Sequence, residues 1–197
     1  AERLDPPFMA ELSAHLDPRR VDALLARLPA QTIVSVAGVL HRERQFITMA
    51  MFVDSIPLPV ISQVVDAIDD AEALLRIAFF VEDAGQLEAV IAHLDDSHMA
   101  AVVQLSATGS EDLQHAGLSL FERLNDKALA SLAPHLAELD NQSIERLILL
   151  ASKLGVLHVL VRALPLLPKA RLESLAAHFE AQGLDLQRLL LGSGDNR

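Results

Sequence analysis

A punctuated recurrence constrains this chain more than any other feature. An apolar residue is followed by Asp, Asn or Pro, and then by about three turns of helically spaced apolar positions. Clear starts fall at Leu16-Asp17-Pro18, Leu28-Pro29, Ile56-Pro57, Ile68-Asp69-Asp70, Val81-Glu82-Asp83, Leu94-Asp95-Asp96, Leu124-Asn125-Asp126, Leu139-Asp140-Asn141 and Leu167-Pro168. Weaker ones lie near Leu40, Gly109-Ser110, Leu154-Gly155 and Gly183, and successive intervals run from 12 to 16 residues. Asp, Asn and Ser accept hydrogen bonds from the orphan N–H groups of a first helical turn, and Pro at the first helical position loses no bond. Asp17-Pro18 combines both devices, and Asp69 with Glu72 three residues on resembles a capping box. Between the starts, Ile144, Leu147, Ile148, Ala151 and Leu154 share one helix face, as do Leu129, Leu132, Ala133 and Leu136. Strand-like alternation is brief and confined to Thr32–Val39.

Helices this short are marginal alone, so each must bury its apolar stripe against neighbours. Turns of two or three residues fold the chain back on itself. The expectation is an all-α domain of short antiparallel helices, stacked as a compact, α-solenoid-like superhelix, right-handed or of undetermined hand. Two successive helices would form one repeat of about 25 to 30 residues. No shift in composition divides residues 1–191, which read as a single domain, and 192–197 (Gly-Ser-Gly-Asp-Asn-Arg) read as a disordered tail or linker. The opening Ala-Glu-Arg reads as a trimmed start.

Composition narrows the partners. The hydrophobic fraction is 51%, yet aromatics are only 4%, with seven Phe and no Trp or Tyr, so the apolar matter is aliphatic helix-bundle material. The most apolar stretch, Ile148 to Leu167, is interrupted by Lys153, His158, Arg162 and Pro165, which argues against membrane insertion. A net charge of −11 opposes the phosphate backbone, so nucleic acid is not expected as a partner. The basic spots Arg19-Arg20 and His41-Arg42-Glu43-Arg44 read as solvated helix ends. Absence of Cys excludes disulfides, thiolate metal sites and thiol catalysis, and fits a cytoplasmic setting.

The phrase running from Leu16-Asp17-Pro18 through Val21, Leu24, Leu25 and Leu28-Pro29 resembles the cytosolic N-terminal domain of MgtE-type magnesium transporters. That superhelical domain is in turn similar to repeats of the flagellar motor protein FliG. The phrase recurs at Leu94–Leu105, Leu124–Leu139 and Leu167–Leu175. The resemblance implies a non-enzymatic regulatory or docking element whose acidic residues take part in sensing magnesium. The stretch from His41 to Pro59 departs from the repeat, and the nucleotide-binding-type domains and membrane segments that follow in the transporters have no counterpart in these residues.

The candidate chemistry is sparse. Eight histidines (His15, His41, His93, His98, His115, His135, His158 and His178) include no pair at the i, i+3 or i+4 spacing of a helical zinc site. His93 and His98 flank Asp95-Asp96 across a turn, where capping is the simpler role. Asp66, Asp69, Asp70 and Glu72 form the densest acidic cluster and are weak candidates to hold a divalent cation. Carboxylates are nonetheless favoured at helix starts by the macrodipole alone, and capping is the preferred reading. Nucleophile elbow, phosphate loop and dinucleotide fingerprint are all missing, so no catalytic residue and no cofactor is expected. Phe46, Met49, Met51, Phe52, Ile56 and Leu58 lie in an apolar stretch, irregular beside the repeats, that reads either as a core segment or as a partner-binding patch. The expected function is a helical-repeat module that binds a protein partner or its own copy. The alternative is a small-molecule or lipid carrier with an aliphatic pocket.

Overall fold

Capping chemistry sets most helix starts in the computed structural model, which describes residues 5–183 except the side chain of Asp22. In chain order the α-helices are α1 (Pro6–Ser13), α2 (Pro18–Leu25), α3 (Ala30–Arg42), α4 (Phe46–Val53), α5 (Leu58–Ile68), α6 (Ala71–Phe80) and α7 (Ala84–Ile91). They continue with α8 (Asp96–Thr108), α9 (Glu111–Arg123), α10 (Asp126–Glu138), α11 (Asn141–Leu154), α12 (Leu157–Ala163) and α13 (Lys169–Ala181), with a 3-10 turn at Leu164–Leu166. The fold is all-α, and no strand occurs among the described residues. No helix there is long and apolar enough to cross a membrane.

Each clear punctuation in the sequence is followed at once by a helix. Asp83 accepts the Gln86 N–H at 2.6 Å, Asp95 that of His98 at 2.8 Å, Asn125 that of Ala128 at 2.9 Å and Asp140 that of Ser143 at 2.7 Å. The expected capping box at Asp69 and Glu72 is corrected. Asp69 ends α5 in the left-handed conformation (φ 43°), which Asp tolerates, and Asp70 caps α6 through the N–H groups of Glu72 and Ala73. The Glu72 carboxylate turns to Arg44 and Arg76 instead. Pro29, Pro57 and Pro168 stand just before their helices, with carbonyls accepting the first bonds, while Pro18 takes the first helical position.

The start expected near Leu40 is also corrected, because α3 runs through it to Arg42. The stretch read as irregular holds α4, and α1 begins on Pro6-Pro7 without a predicted start.

Contacts divide the chain into two compact units, one up to His98 and one from Met99 onward. Within the first, α3 packs on α1 and α5, α5 on α7, and α4 on α6. Ile33, Leu40, Met49, Phe52, Val65 and Leu75 are among its buried side chains. Within the second, α10 packs on α12 and α11 on α13, around Phe121, Leu132, Ile148 and Phe179. Each of these pairs lies two helices apart in the chain, and starts at that offset lie between about 24 residues (Pro6 to Ala30) and about 31 (Asp126 to Leu157), the two-helix period read from the sequence.

Polar ties follow the same offset. Arg44 bonds Glu72, 28 residues on, and Arg162 returns to the Leu124 carbonyl, 38 residues back. Between these limits lie Gln86 to the Val53 carbonyl, and Arg171 to the carbonyls of Ala137 and Leu139 and the amide of Asn141.

At one place the backbones of successive helices nearly touch. A Cβ on Gly117 would lie 2.2 Å from Ser106 Oγ and 3.0 Å from its Cα, and Ser106 is fully buried with its hydroxyl donating to the Val102 carbonyl. Gly117→Ala is therefore expected to destabilise by about 1–3 kcal/mol through overpacking. Gly38→Ala, mid-helix with only Arg42 Nη1 at 3.8 Å, should stabilise by roughly 0.5–1 kcal/mol. Urea midpoints moving in opposite directions at unchanged slope would establish both.

Candidate functional site

A shallow concave feature of the first unit forms where α5 faces the end of α7 and the turn into α8. Leu58, Ile61, Ser62 and Val65 recur at helical spacing and give α5 one wall. Val90 and Leu94 give the other, and Asp66, His93, Asp95 and His98 complete a shallow cleft with room for little more than a water molecule.

The turn is held by its own polar groups. His93 Nδ1 donates to the Ala89 carbonyl at 2.7 Å, since a carbonyl can only accept. Asp95 Oδ1 accepts the backbone N–H of His98 and also lies 2.8 Å from its Nδ1, so that ring nitrogen carries the proton. These contacts, the backbone bond first and the ring second, hold the Asp95 carboxyl below its ordinary range against the opposing effect of burial. His98 Nε2 is then left buried without a hydrogen-bond partner, 3.6 Å from Asp69 Oδ1.

The four acidic candidates do not converge. Asp66 lines the cleft and Asp69 stands beside it, whereas Asp70 pairs with His41 Nε2 at 2.9 Å and Glu72 with Arg44 and Arg76. Burial acts to raise the Asp70 pKa, but the His41 bond and the capping N–H groups prevail and lower it. Among the described residues no group of three or more His, Asp or Glu is arranged to hold a metal ion.

The apolar candidates separate by helix face. Met49 and Phe52 are buried, Phe46 is half-buried with the Arg44 guanidinium 5.3 Å from its ring centre, and Met51 is 50% exposed. Ile47, one turn before Met51 and absent from the sequence-derived set, is 56% exposed. Ile56 and Leu58 are half-buried, the latter in the cleft.

A polar cluster in the second unit escaped sequence reasoning. Glu145 Oε2 accepts from His178 Nε2 at 2.8 Å and from Gln182 Nε2 at 3.0 Å, tying α11 to α13 with the Glu145 side chain only 13% exposed. Its one local signal is the i, i+4 spacing of His178 and Gln182.

No family model matches this chain, and neither do any curated protein or solved structure.

The Glu145 cluster makes a pH-dependent contribution of defined sign. The His178 hydrogen bond, aided by Gln182 and opposed by burial, lowers the Glu145 pKa from its ordinary 4.5. A depressed carboxylate pKa stabilises the fold above the unfolded value, and that stability is lost as pH falls through the folded value. The stability advantage of the natural chain over Glu145→Gln should be full near neutral pH and shrink progressively below about 4.5. Urea titrations across that range should show the two curves converging; parallel curves would mean the cluster contributes no such linkage.

Proposed function

We propose that this chain is a cytoplasmic, non-enzymatic helical-repeat module that holds a protein partner, or a second copy of itself, on the outer face of α4. The reading rests on one observation. Ile47 and Met51 stand one turn apart and half or more exposed, on a helix whose opposite side is fixed in the core by Met49 and Phe52. A rigid helix presenting two large apolar side chains binds with little loss of conformational freedom, because its backbone is already ordered. Covering each contributes up to about 1.5–3 kcal/mol. Phe80, 42% exposed at the end of α6, adds apolar surface on the helix that packs against α4.

The resemblance to MgtE-type cytosolic domains and FliG-like repeats supports the same reading, as does the use of so many carboxylates for caps and cross-helix ties. The cleft beside α5 has room for little more than a water molecule, far below the roughly 300–1,000 Å³ of ordinary small-molecule pockets, which favours a module over a carrier.

Ile47→Asp combined with Met51→Asp tests the proposal. Both positions are exposed, so the variant should fold with a thermal midpoint close to that of the natural chain. Self-association in sedimentation velocity, or retention of a cross-linked partner, should fall at least tenfold. Unchanged association in a folded double variant would overturn the assignment of this face.

A further inference from the structure

We propose that His98 is a proton-operated latch: in its doubly protonated form the ring donates to Asp69 and Asp95 at once and fastens the start of α8 to the end of α5. The latch belongs to the first unit and does not depend on the α4 face.

The ring stands between two carboxylates, one at each nitrogen. Nδ1 lies 2.8 Å from Asp95 Oδ1 and Nε2 lies 3.6 Å from Asp69 Oδ1, with the His98 side chain only 12% exposed. A carboxylate only accepts, and a neutral imidazole offers one N–H and one lone pair. With the proton on Nδ1, the lone pair of Nε2 is buried without a donor, and the nearest charged oxygen is that of Asp69. With the proton on Nε2, a lone pair meets Asp95 at hydrogen-bond distance. Each neutral tautomer therefore sets a lone pair against an acceptor. Only the imidazolium, a donor at both nitrogens, satisfies the site on both sides.

The charged groups around the ring favour that form. Asp66 from α5 and His93 from the end of α7 line the same depression as Asp95 and His98, and no Lys or Arg does. Burial and the first turn of a helix both disfavour a cation. Asp95 and Asp96 stand at that helix start, however, and a carboxylate close to each ring nitrogen acts the other way. The His98 backbone N–H first, and its ring second, hold the Asp95 carboxyl below its ordinary range, so Asp95 stays charged where histidines titrate. Asp69 closes α5 with its side chain 87% exposed, and its carboxylate can swing the last part of the way to the length of a charged N–H···O bond, about 2.8 Å. Stability supplied by the charged ring is present below the ordinary imidazole range, about pH 6.5, and is lost as pH rises through it.

Urea unfolding of the full chain at about pH 5.5 and about pH 8, on either side of that range, tests the latch. At the lower pH the natural chain should unfold at a higher urea midpoint than Asp69→Asn, which removes the charged acceptor. At the higher pH the order should reverse, because the new amide can donate to the Nε2 lone pair; Asn also tolerates the left-handed backbone at position 69. In a His98→Gln background, Asp69→Asn should shift the midpoint equally at both pH values, which separates the latch from general relief of negative charge. Ring nitrogen spectra of the natural chain require no substitution, and should show His98 protonated on Nδ1 alone at about pH 8 and on both nitrogens at about pH 5.5. An Asp69→Asn shift of one size and sign at both pH values, the same pH dependence in the absence of the His98 ring, or a ring still neutral at the lower pH would overturn the proposal.

Discussion

Everything in this structure depends on the lateral packing of short helices that could not persist alone. A helix of 7 to 14 residues gains too little from its own hydrogen bonds to offset nucleation, so its stability comes from the stripe it buries on its neighbours. In both units that neighbour includes the helix two places along. The polar ties use the same offset because they connect points that the apolar packing has already brought together: Arg44 to Glu72 and His41 to Asp70 in one unit, Arg162 to Asp126 and His178 to Glu145 in the other. Aliphatic side chains occupy the contacts, and polar chemistry is displaced to turns and rims.

This division explains what could be read from the sequence. Capping is local, since a carboxylate and the N–H it accepts lie two or three residues apart, and so the starts at Asp83, Asn125 and Asp140 were legible. The start of α4 was not. Its predecessor α3 stops without Gly, Asn or Pro: Arg44 takes the left-handed conformation (φ 56°), while its N–H and that of Gln45 bond the His41 and Leu40 carbonyls. That is a Schellman closure with Arg in the place usually held by Gly. Arg44 is tied there by Glu72 and by the Phe46 ring, and both contacts depend on tertiary packing or on the helix itself. The same limit hid the Glu145 cluster, whose central contact spans 33 residues.

The candidate sites show the limit more sharply. Density of carboxylates in sequence pointed to Asp66, Asp69, Asp70 and Glu72 as a group, but a helix junction runs through them and sends the side chains apart. Asp70 and Glu72 are taken up by capping, by His41 and by two arginines, leaving Asp66 and Asp69 on the side of the cleft. Likewise the apolar run around Met49 could not be divided into core and surface until its helical phase was known. Once α4 is placed, phase alone assigns Met49 and Phe52 inward and Met51 outward, and brings Ile47 to the same outer strip.

Charge is the one global property that the packing leaves uneven. The second half of the chain, from residue 99, carries nine Lys and Arg against eleven Asp and Glu, and is close to neutral beside the first. Several carboxylates of the first unit do structural duty as caps, a role Ser, Thr or Asn could fill without charge. Capping therefore accounts for oxygen acceptors at those positions and not for a surplus of negative charge. A surplus confined to one unit sets up a field that extends about a Debye length into solvent and biases the encounter with cationic surfaces before any contact forms. In the proposed function, the α4 face with Ile47 and Met51 would contribute through area and shape, and the acidic unit around it through approach and orientation. The two act at different distances, so a partner that carries both an apolar patch and basic side chains would be selected twice by the same rigid scaffold.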